Sequence, residues 1–411
     1  MALRSTADAL ADILAHFHPL PAESVPLLEA YDRVLAHDIV AGESLPPFAN
    51  SSMDGFAVHA DDISAAPVRL KLTMDIPAGS FPGRPLGRGE AARIMTGAPL
   101  PEGANAIVPV EDTDAQFKPS SDAPLPEHVE IRRSVATGAY VRPVGEDVRV
   151  GQTVLKTGTV LGPAEVGILA SIGQARVQVI GQPRAVVLSS GDELLDPADA
   201  LSPGKIRDAN TFTLTGQLRA AYARVLHVPR ISDHLPDALA RIDEALSLHP
   251  HLIVSSGGVS VGAFDVMRHA VESYGALEFW KVNLRPGKPL AYGQVRGVPF
   301  FGLPGNPVSA MVTCDVFVRP AVLTLGGRSL QTDSIIAQAG HVIQSDGRRT
   351  YARVTLAREG GALVARETGT QSSGALSSMA LADGLMIIPE DVTHVEAGES
   401  MTIRLLRPLR V

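Results

Sequence analysis

The chain has 411 residues, 45% hydrophobic and 19% charged, which suits packed cores in roughly two to four domains and argues against wholesale disorder. Its formal net charge is −8 and its pI about 5.8, a poor match to a protein that holds nucleic acid by its phosphates. Cys314 is the only cysteine, so no disulfide can form within the chain, in keeping with a cytoplasmic location.

The N-terminal stretch MALRSTADALADIL carries Asp8 and Asp12 and lacks the apolar core of a signal peptide. Apolar spacing predicts helices over residues 5–17 and 24–38, with Ser5 and Ser24 as N-caps. A Pro-rich loop, ESLPPFANSSMDGFAVHADD, follows. Strand-like runs broken by Gly and Pro come next: VRLKLTMDI, AARIMTGAPL, NAIVPVEDT and HVEIRR. They predict a β insert over about 45–145, and a helix is predicted at Pro163 to Ser171. These pieces form an N-terminal region, 1–175.

From 176 to 325 strand and helix alternate, which predicts a central parallel α/β domain with right-handed crossovers. RAVVLSSGDEL reads as a buried strand with a polar end, ANTFTLTGQLRAAYARV as a helix and VLHVPRI as a strand. LPDALARIDEALSL is a helix with Leu239, Ile242 and Leu246 on one face. LIVSSGG is a strand entering a tight turn, and NPVSAMVTCDVFVRPAVLTL is a helix after LPGN. That run is the most membrane-like in the chain, but Asp315, Arg319 and Pro320 break it well short of the ~20 apolar residues of a spanning helix. Residues 326–411 return to β character, with a hairpin at TYARVTLAR and ALVARET and further strands at LMIIPED and SMTIRLL. They predict a small C-terminal β domain in which 371–382 is a loop or a short helix.

Ligands of parallel α/β sheets bind beyond the carboxyl ends of the strands. SSGDE, SSGG and LPGN all fall at that edge. Three glycine-rich turns lie between Leu252 and Ser309, and such turns let successive N–H groups converge on one anion. Lysine occurs at six positions only, yet Lys281 and Lys288 flank Arg285 in the same segment. Arginine holds an oxyanion in bidentate fashion and lysine acts as a movable point charge. Asp192, Glu193, Asp233 and Asp265 supply carboxylates nearby, and carboxylates facing phosphates require a divalent cation, for which magnesium is suited. His16, His18, His249 and His251 have no zinc-ligand spacing, and neither a GxSxG elbow nor a Walker motif occurs. Cys314 falls within a helix, where packing is its expected role.

NSSMDGFAV (50–58), RIMTGAPLP (93–101), VRPVGED (141–147), SSGDEL (189–194), SSGGVSVGAFD (255–265), FWKVNLRPGKP (279–289) and GLPGNPVSA (302–310) occur in order along nearly the whole chain. In this set the chain resembles the molybdopterin molybdenumtransferase family, called MoeA in bacteria and corresponding to the E domain of gephyrin-like proteins. The resemblance implies a MoaB/Mog-like central domain and a magnesium-dependent transferase acting in molybdenum cofactor biosynthesis. Such an enzyme takes adenylylated molybdopterin and molybdate, inserts molybdenum at the dithiolene and releases AMP. It also implies a homodimer whose site lies between the α/β domain of one subunit and the β insert of the other. A molybdopterin adenylyltransferase is an expected partner, with neither nucleic acid nor membrane.

Carried over residue by residue, the resemblance assigns catalytic positions to Asp54, Thr96, Arg142, Glu193, Lys281, Arg285, Lys288, Arg353 and Ser373. Ser255, Ser256, Gly257, Gly258, Ser260, Gly262, Pro304, Gly305, Asn306 and Pro307 would bind the pterin nucleotide, and Asp233 and Asp265 the magnesium. Arg285 stands where the family commonly has lysine, and Ser372-Ser373-Gly374 replaces a commoner Gly-Ser-His. Two alternatives stay open, a molybdopterin adenylyltransferase and a gephyrin-like scaffold that binds receptor tails.

Overall fold

The computed structural model describes residues 3–115, 125–257 and 264–409. Gly258, Ser260 and Gly262 lie outside the described residues, as does the side chain of Asp265. The chain divides into two units, one of residues 1–23, 32–34 and 178–411, the other of residues 24–31 and 35–177.

The first unit holds a six-stranded sheet in the order Arg224–His227, Arg184–Ser189, Leu252–Ser256, Val298–Leu303, Pro289–Val295, Gly275–Lys281. The first four strands are parallel, and the last two extend the sheet antiparallel as hairpin partners. Both faces are covered, which explains why the central strands read as unbroken apolar runs. Ala185 and Val187 pack on one side with Leu214 and Leu218 of helix Asn210–Ala220 and with Val308 and Val312. Val186 and Leu188 pack on the other with Ile242 and Ala245 of helix Leu235–Ser247 and Met267 of helix Phe264–Glu272. This alternation follows from the two-residue period of a strand.

Helix Thr6–Leu14 forms as its spacing predicts, with Ser5 Oγ accepting from Ala7 N at 3.2 Å. Its Ala9 and Ile13 lie fully buried in the same core as Phe301. The helix predicted over 24–38 does not form. Ala22–Pro26 is extended, and one 3₁₀ turn at Leu27–Glu29 follows. Pro26 cannot donate within a helix, and Arg176 binds the carbonyl of Ser24 at 2.6 Å.

The long apolar helix is two helices, Pro307–Thr313 and Arg319–Leu325, joined by a π-type turn at Cys314–Val318. Most of it is buried core, which accounts for its membrane-like composition. Cys314 is fully buried there, and burial pushes its thiol far above the ordinary range, consistent with packing.

The C-terminal strands close on themselves in the order Arg349–Glu359, Ala362–Glu367, Ser334–Ala339, Ser400–Leu405, Gly384–Ile388 and back to Arg349–Glu359. A short strand, Leu284–Arg285, joins this barrel parallel to Arg349 and Thr350. Tyr351, Met379 and Leu385 belong to the same buried cluster as the α/β sheet, so barrel and sheet share a core. The segment 371–382 proves to be a loop followed by helix Leu376–Leu381.

The second unit holds a five-stranded sheet in the order Ala106–Pro109, Gly55–Val58, Glu90–Ile94, Val68–Ile76, His128–Ile131. Four of its strands coincide with the runs read from sequence, whereas Gly55–Val58 is a strand within the stretch expected to be a Pro-rich loop, and helix Pro163–Ser171 begins with proline in its first turn.

Candidate active site at the strand ends

The carboxyl ends of three adjacent parallel strands end in Ser189-Ser190, Ser256-Gly257 and Pro304-Gly305-Asn306. All of these line one cavity of about 610 Å³. Glycine is needed at Gly257, where φ is +87° and a Cβ would stand 2.8 Å from the Ser190 carbonyl oxygen. Gly191 serves differently: its missing side chain leaves room for the Glu193 carboxylate, which also lines the cavity.

The wall is rich in polar groups awaiting partners. The hydroxyls of Ser189 and Ser190 in this wall are buried without a hydrogen-bond partner, as is that of Ser255, which does not line the cavity. Asn210 Nδ2 donates to Ser256 Oγ at 2.6 Å and to the Gly305 carbonyl at 2.8 Å, tying two strand ends together, while its Oδ1 is buried and unpartnered. Buried polar groups of this kind are costly unless a ligand or water satisfies them.

A second wall brings positive charge. Arg285 and Lys288 line the cavity on either side of Pro286 and Gly287. Arg285 Nη1 lies 3.7 Å from Asp346 Oδ2, but Arg348 holds Asp346 more closely, at 2.6 Å. Hydrogen bonding from Arg348 holds the Asp346 carboxyl below the usual carboxylate range. Lys288 is exposed and has no ion-pair partner among the described residues.

The loop 368–374 supplies the third wall, with Gln371 and Ser373. Arg353 organises this loop from behind. It is 1% exposed, and its Nη2 donates to the carbonyls of Thr370 at 3.1 Å and Ser372 at 3.0 Å, while Nε donates to Ser378 Oγ. Burial pushes its pKa below the ordinary guanidinium value. The Ser373 carbonyl accepts from Val308 N at 3.0 Å, so the loop caps the helix that starts at Pro307.

Other positions fall elsewhere. Lys281 is exposed at the end of the outermost strand and is absent from the cavity wall. Asp233 stands beside the strand ends with Asp192. Asp233 N donates to Asp192 Oδ1 at 3.0 Å, and Asp192 N to Asp233 Oδ2 at 3.2 Å. Neither carboxylate has an ion-pair partner among the described residues, and the pair offers hard oxygen donors of the kind magnesium takes.

Asp54 and Thr96 pair in the second unit, which also holds Arg142. Asp54 Oδ1 accepts from Thr96 N at 2.7 Å and from Thr96 Oγ1 at 2.8 Å. Arg142 pairs across a two-residue ladder with Asn50, just ahead of Asp54. Gly55 is obligatory because a Cβ there would meet the Val108 carbonyl oxygen. Sequence reasoning missed Asn210, Arg348 and Gln371 as cavity residues. Asn210 opens a predicted helix, and its place at a sheet end was the available signal.

The chain matches three family models: MoeA N-terminal region (domain I and II) over residues 4–173, probable molybdopterin binding domain over 186–324, and MoeA C-terminal region (domain IV) over 337–406. It is 38% identical to molybdopterin molybdenumtransferase 2 of Mycobacterium tuberculosis over 392 residues, 92% of this chain and 94% of that one. It is 35% identical to the molybdopterin molybdenumtransferase of Bacillus subtilis over 395 residues, 94% of this chain and 90% of that one. A crystal structure of the molybdopterin biosynthesis MoeA protein of Pyrococcus horikoshii superposes with a TM-score of 0.82 at 30% identity, covering 99% of this chain and 100% of that one. The chain belongs to the MoeA family of molybdopterin molybdenumtransferases.

Proposed function

We propose that this protein inserts molybdenum from molybdate into adenylylated molybdopterin and releases AMP, as a step of molybdenum cofactor biosynthesis. The observation that carries the reading is one cavity that joins an exposed lysine and an arginine to serine- and glycine-lined strand ends. The strand ends suit a pterin nucleotide: Ser256, Gly257, Pro304, Gly305 and Asn306 line the cavity with small and polar groups. Arg285 and Lys288 suit a compact dianion, with Ser373 opposite them.

In this reading Arg353 acts as a positioning residue, because its guanidinium is spent on carbonyls of the loop that bears Ser373. Asp233, with Asp192 beside it, would hold magnesium together with Asp265, which follows the Ser256-Gly257 strand end in sequence. When bound, magnesium neutralises phosphate charge and fixes phosphate geometry. The chain's own groups contribute placement and electrostatic stabilisation around the phosphate link whose cleavage frees AMP. We further read the enzyme as a cytoplasmic homodimer in which Asp54, Thr96 and Arg142 of one subunit complete the cavity of the other. The Asp54–Thr96 pair supports this, since its two hydrogen bonds fix a polar group in the β insert. A molybdopterin adenylyltransferase would be the natural supplier of the substrate.

The test is mass analysis of products formed from adenylylated molybdopterin, molybdate and magnesium. A molybdenum-bearing pterin with stoichiometric AMP is expected. Pyrophosphate release from ATP and molybdopterin would instead identify an adenylyltransferase.

A further inference from the structure

A separate cavity of about 240 Å³ is lined by side chains of the N-terminal helix, the helix Arg319–Leu325 and the C-terminal barrel. It shares no lining residue with the strand-end cavity. Three arginines line it, Arg319, Arg349 and Arg404, together with the hydroxyl-bearing residues Thr6, Thr332 and Tyr351 and apolar residues that include Leu10 and Val316.

The charges here do not balance. Arg404 Nη2 lies 2.7 Å from Asp315 Oδ1, the one carboxylate in ion-pair range among the described residues. Arg319 Nη1 is buried and has no hydrogen-bond partner. Burial pushes the Arg319 guanidinium below its ordinary pKa; Arg404 adds to this, while Asp315 and Asp333 oppose it. Arg349 Nε donates to the Tyr351 hydroxyl at 3.2 Å and forms no ion pair among the described residues. Arg404 and Arg319 act on one buried carboxylate, Asp315, whose Oδ2 also has no hydrogen-bond partner, and Arg349 adds a third positive residue to the wall.

A buried N–H without an acceptor is costly, and a small oxyanion can satisfy several guanidinium donors at once. The volume is below the roughly 300–1,000 Å³ of sites that enclose drug-sized ligands, so a nucleotide would not fit within it. We propose that this cavity is a second anion site that takes a tetrahedral oxyanion between Arg319, Arg349 and Arg404. The class includes phosphate, sulfate and molybdate. The assignment stands independently of the reaction read for the strand-end cavity.

The test uses the full chain carrying Lys288→Ala, which weakens the strand-end cavity, and measures uptake of labelled phosphate, sulfate and molybdate by equilibrium dialysis. Binding of one oxyanion per chain is expected to persist. Adding Arg349→Gln should weaken it by at least about tenfold, the scale of a lost charge-assisted hydrogen bond. Arg349→Lys, which keeps the charge, should recover much of it. Preference for molybdate would mark a reserve of substrate, and preference for phosphate a site for a phosphate-bearing ligand. An unchanged melting curve in anion-free buffer checks the fold of Arg349→Gln. Crystals of the unaltered chain soaked in molybdate give a reading free of any variant: an anomalous peak among the three guanidinium groups is expected. An empty cavity in those crystals, or affinity indifferent to Arg349→Gln, overturns the proposal.

Discussion

Gly287→Ala is a sharp test of how the basic loop is built. Gly287 has φ of +117°, a backbone region that L side chains rarely adopt, and a Cβ there would stand 2.3 Å from Thr313 Oγ1. The backbone term costs on the order of 1–3 kcal/mol. Overpacking against a helix adds about 1–3 kcal/mol, because Thr313 is fully buried. The alternative to that combined strain is a shift of the loop, which carries Arg285 and Lys288 with it. A displacement of about 1 Å in such a site typically costs ~100-fold in turnover. Gly297→Ala is the control, since Gly297 has φ of +82° but nothing within 4 Å of the added carbon. Molybdate-dependent AMP release and urea melts would be measured on both variants. Gly287→Ala is expected to lose about 10- to 100-fold in activity, while Gly297→Ala loses stability alone, by about 1–3 kcal/mol. Equal behaviour of the two variants would refute the argument that close packing on Thr313 sets the loop.

Three further outcomes are expected. Lys288→Ala should raise the molybdate concentration for half-maximal insertion by at least about tenfold, with a much smaller effect on nucleotide affinity by calorimetry; the reverse pattern would place this loop on the phosphates. Asp233→Ala should shift the magnesium dependence of AMP release to higher concentration by about tenfold or more, and an unchanged magnesium titration would remove Asp233 from the metal site. Mixing Asp54→Ala with Asp233→Ala protein, at a magnesium concentration low enough that each has little activity alone, should restore activity through heterodimers, and background activity despite demonstrated subunit exchange would exclude a shared site.

The strand ends of the α/β sheet were readable because buried apolar runs such as RAVVLSS and LIVSSGG stop abruptly at serine and glycine. That pattern comes from burial on both faces, so it is local and survives in the sequence. Four strands of the β insert were readable for a related reason, with Gly and Pro marking each break, but Gly55–Val58 was hidden in a Pro-rich stretch. What failed or was missed depends on contacts distant in the chain. The helix expected over 24–38 gives way to an extended segment because Arg176 claims the Ser24 carbonyl, and no spacing rule within that window reports it. Arg353 carries a catalytic assignment by resemblance, but charge alone does not report that its guanidinium donates to the carbonyls of Thr370 and Ser372. Gln371 gave no signal at all, because a polar residue in a loop reaches the site only through that bracing.

The bond from Val308 N to the Ser373 carbonyl has a consequence for how this protein can vary over time. The helix start at Pro307 and the loop at Ser373 are 66 positions apart (373 − 307), yet each completes the other's hydrogen bonding. Tyr351 and Leu385 from the barrel fill the same core as Phe301 of the sheet. A hybrid joined near residue 326, with its two halves taken from different relatives, would bring together a cap and a helix that never evolved in one molecule. The barrel is therefore expected to be inherited as a block with the α/β domain, and its substitutions to be tolerated or rejected jointly with those around Pro307.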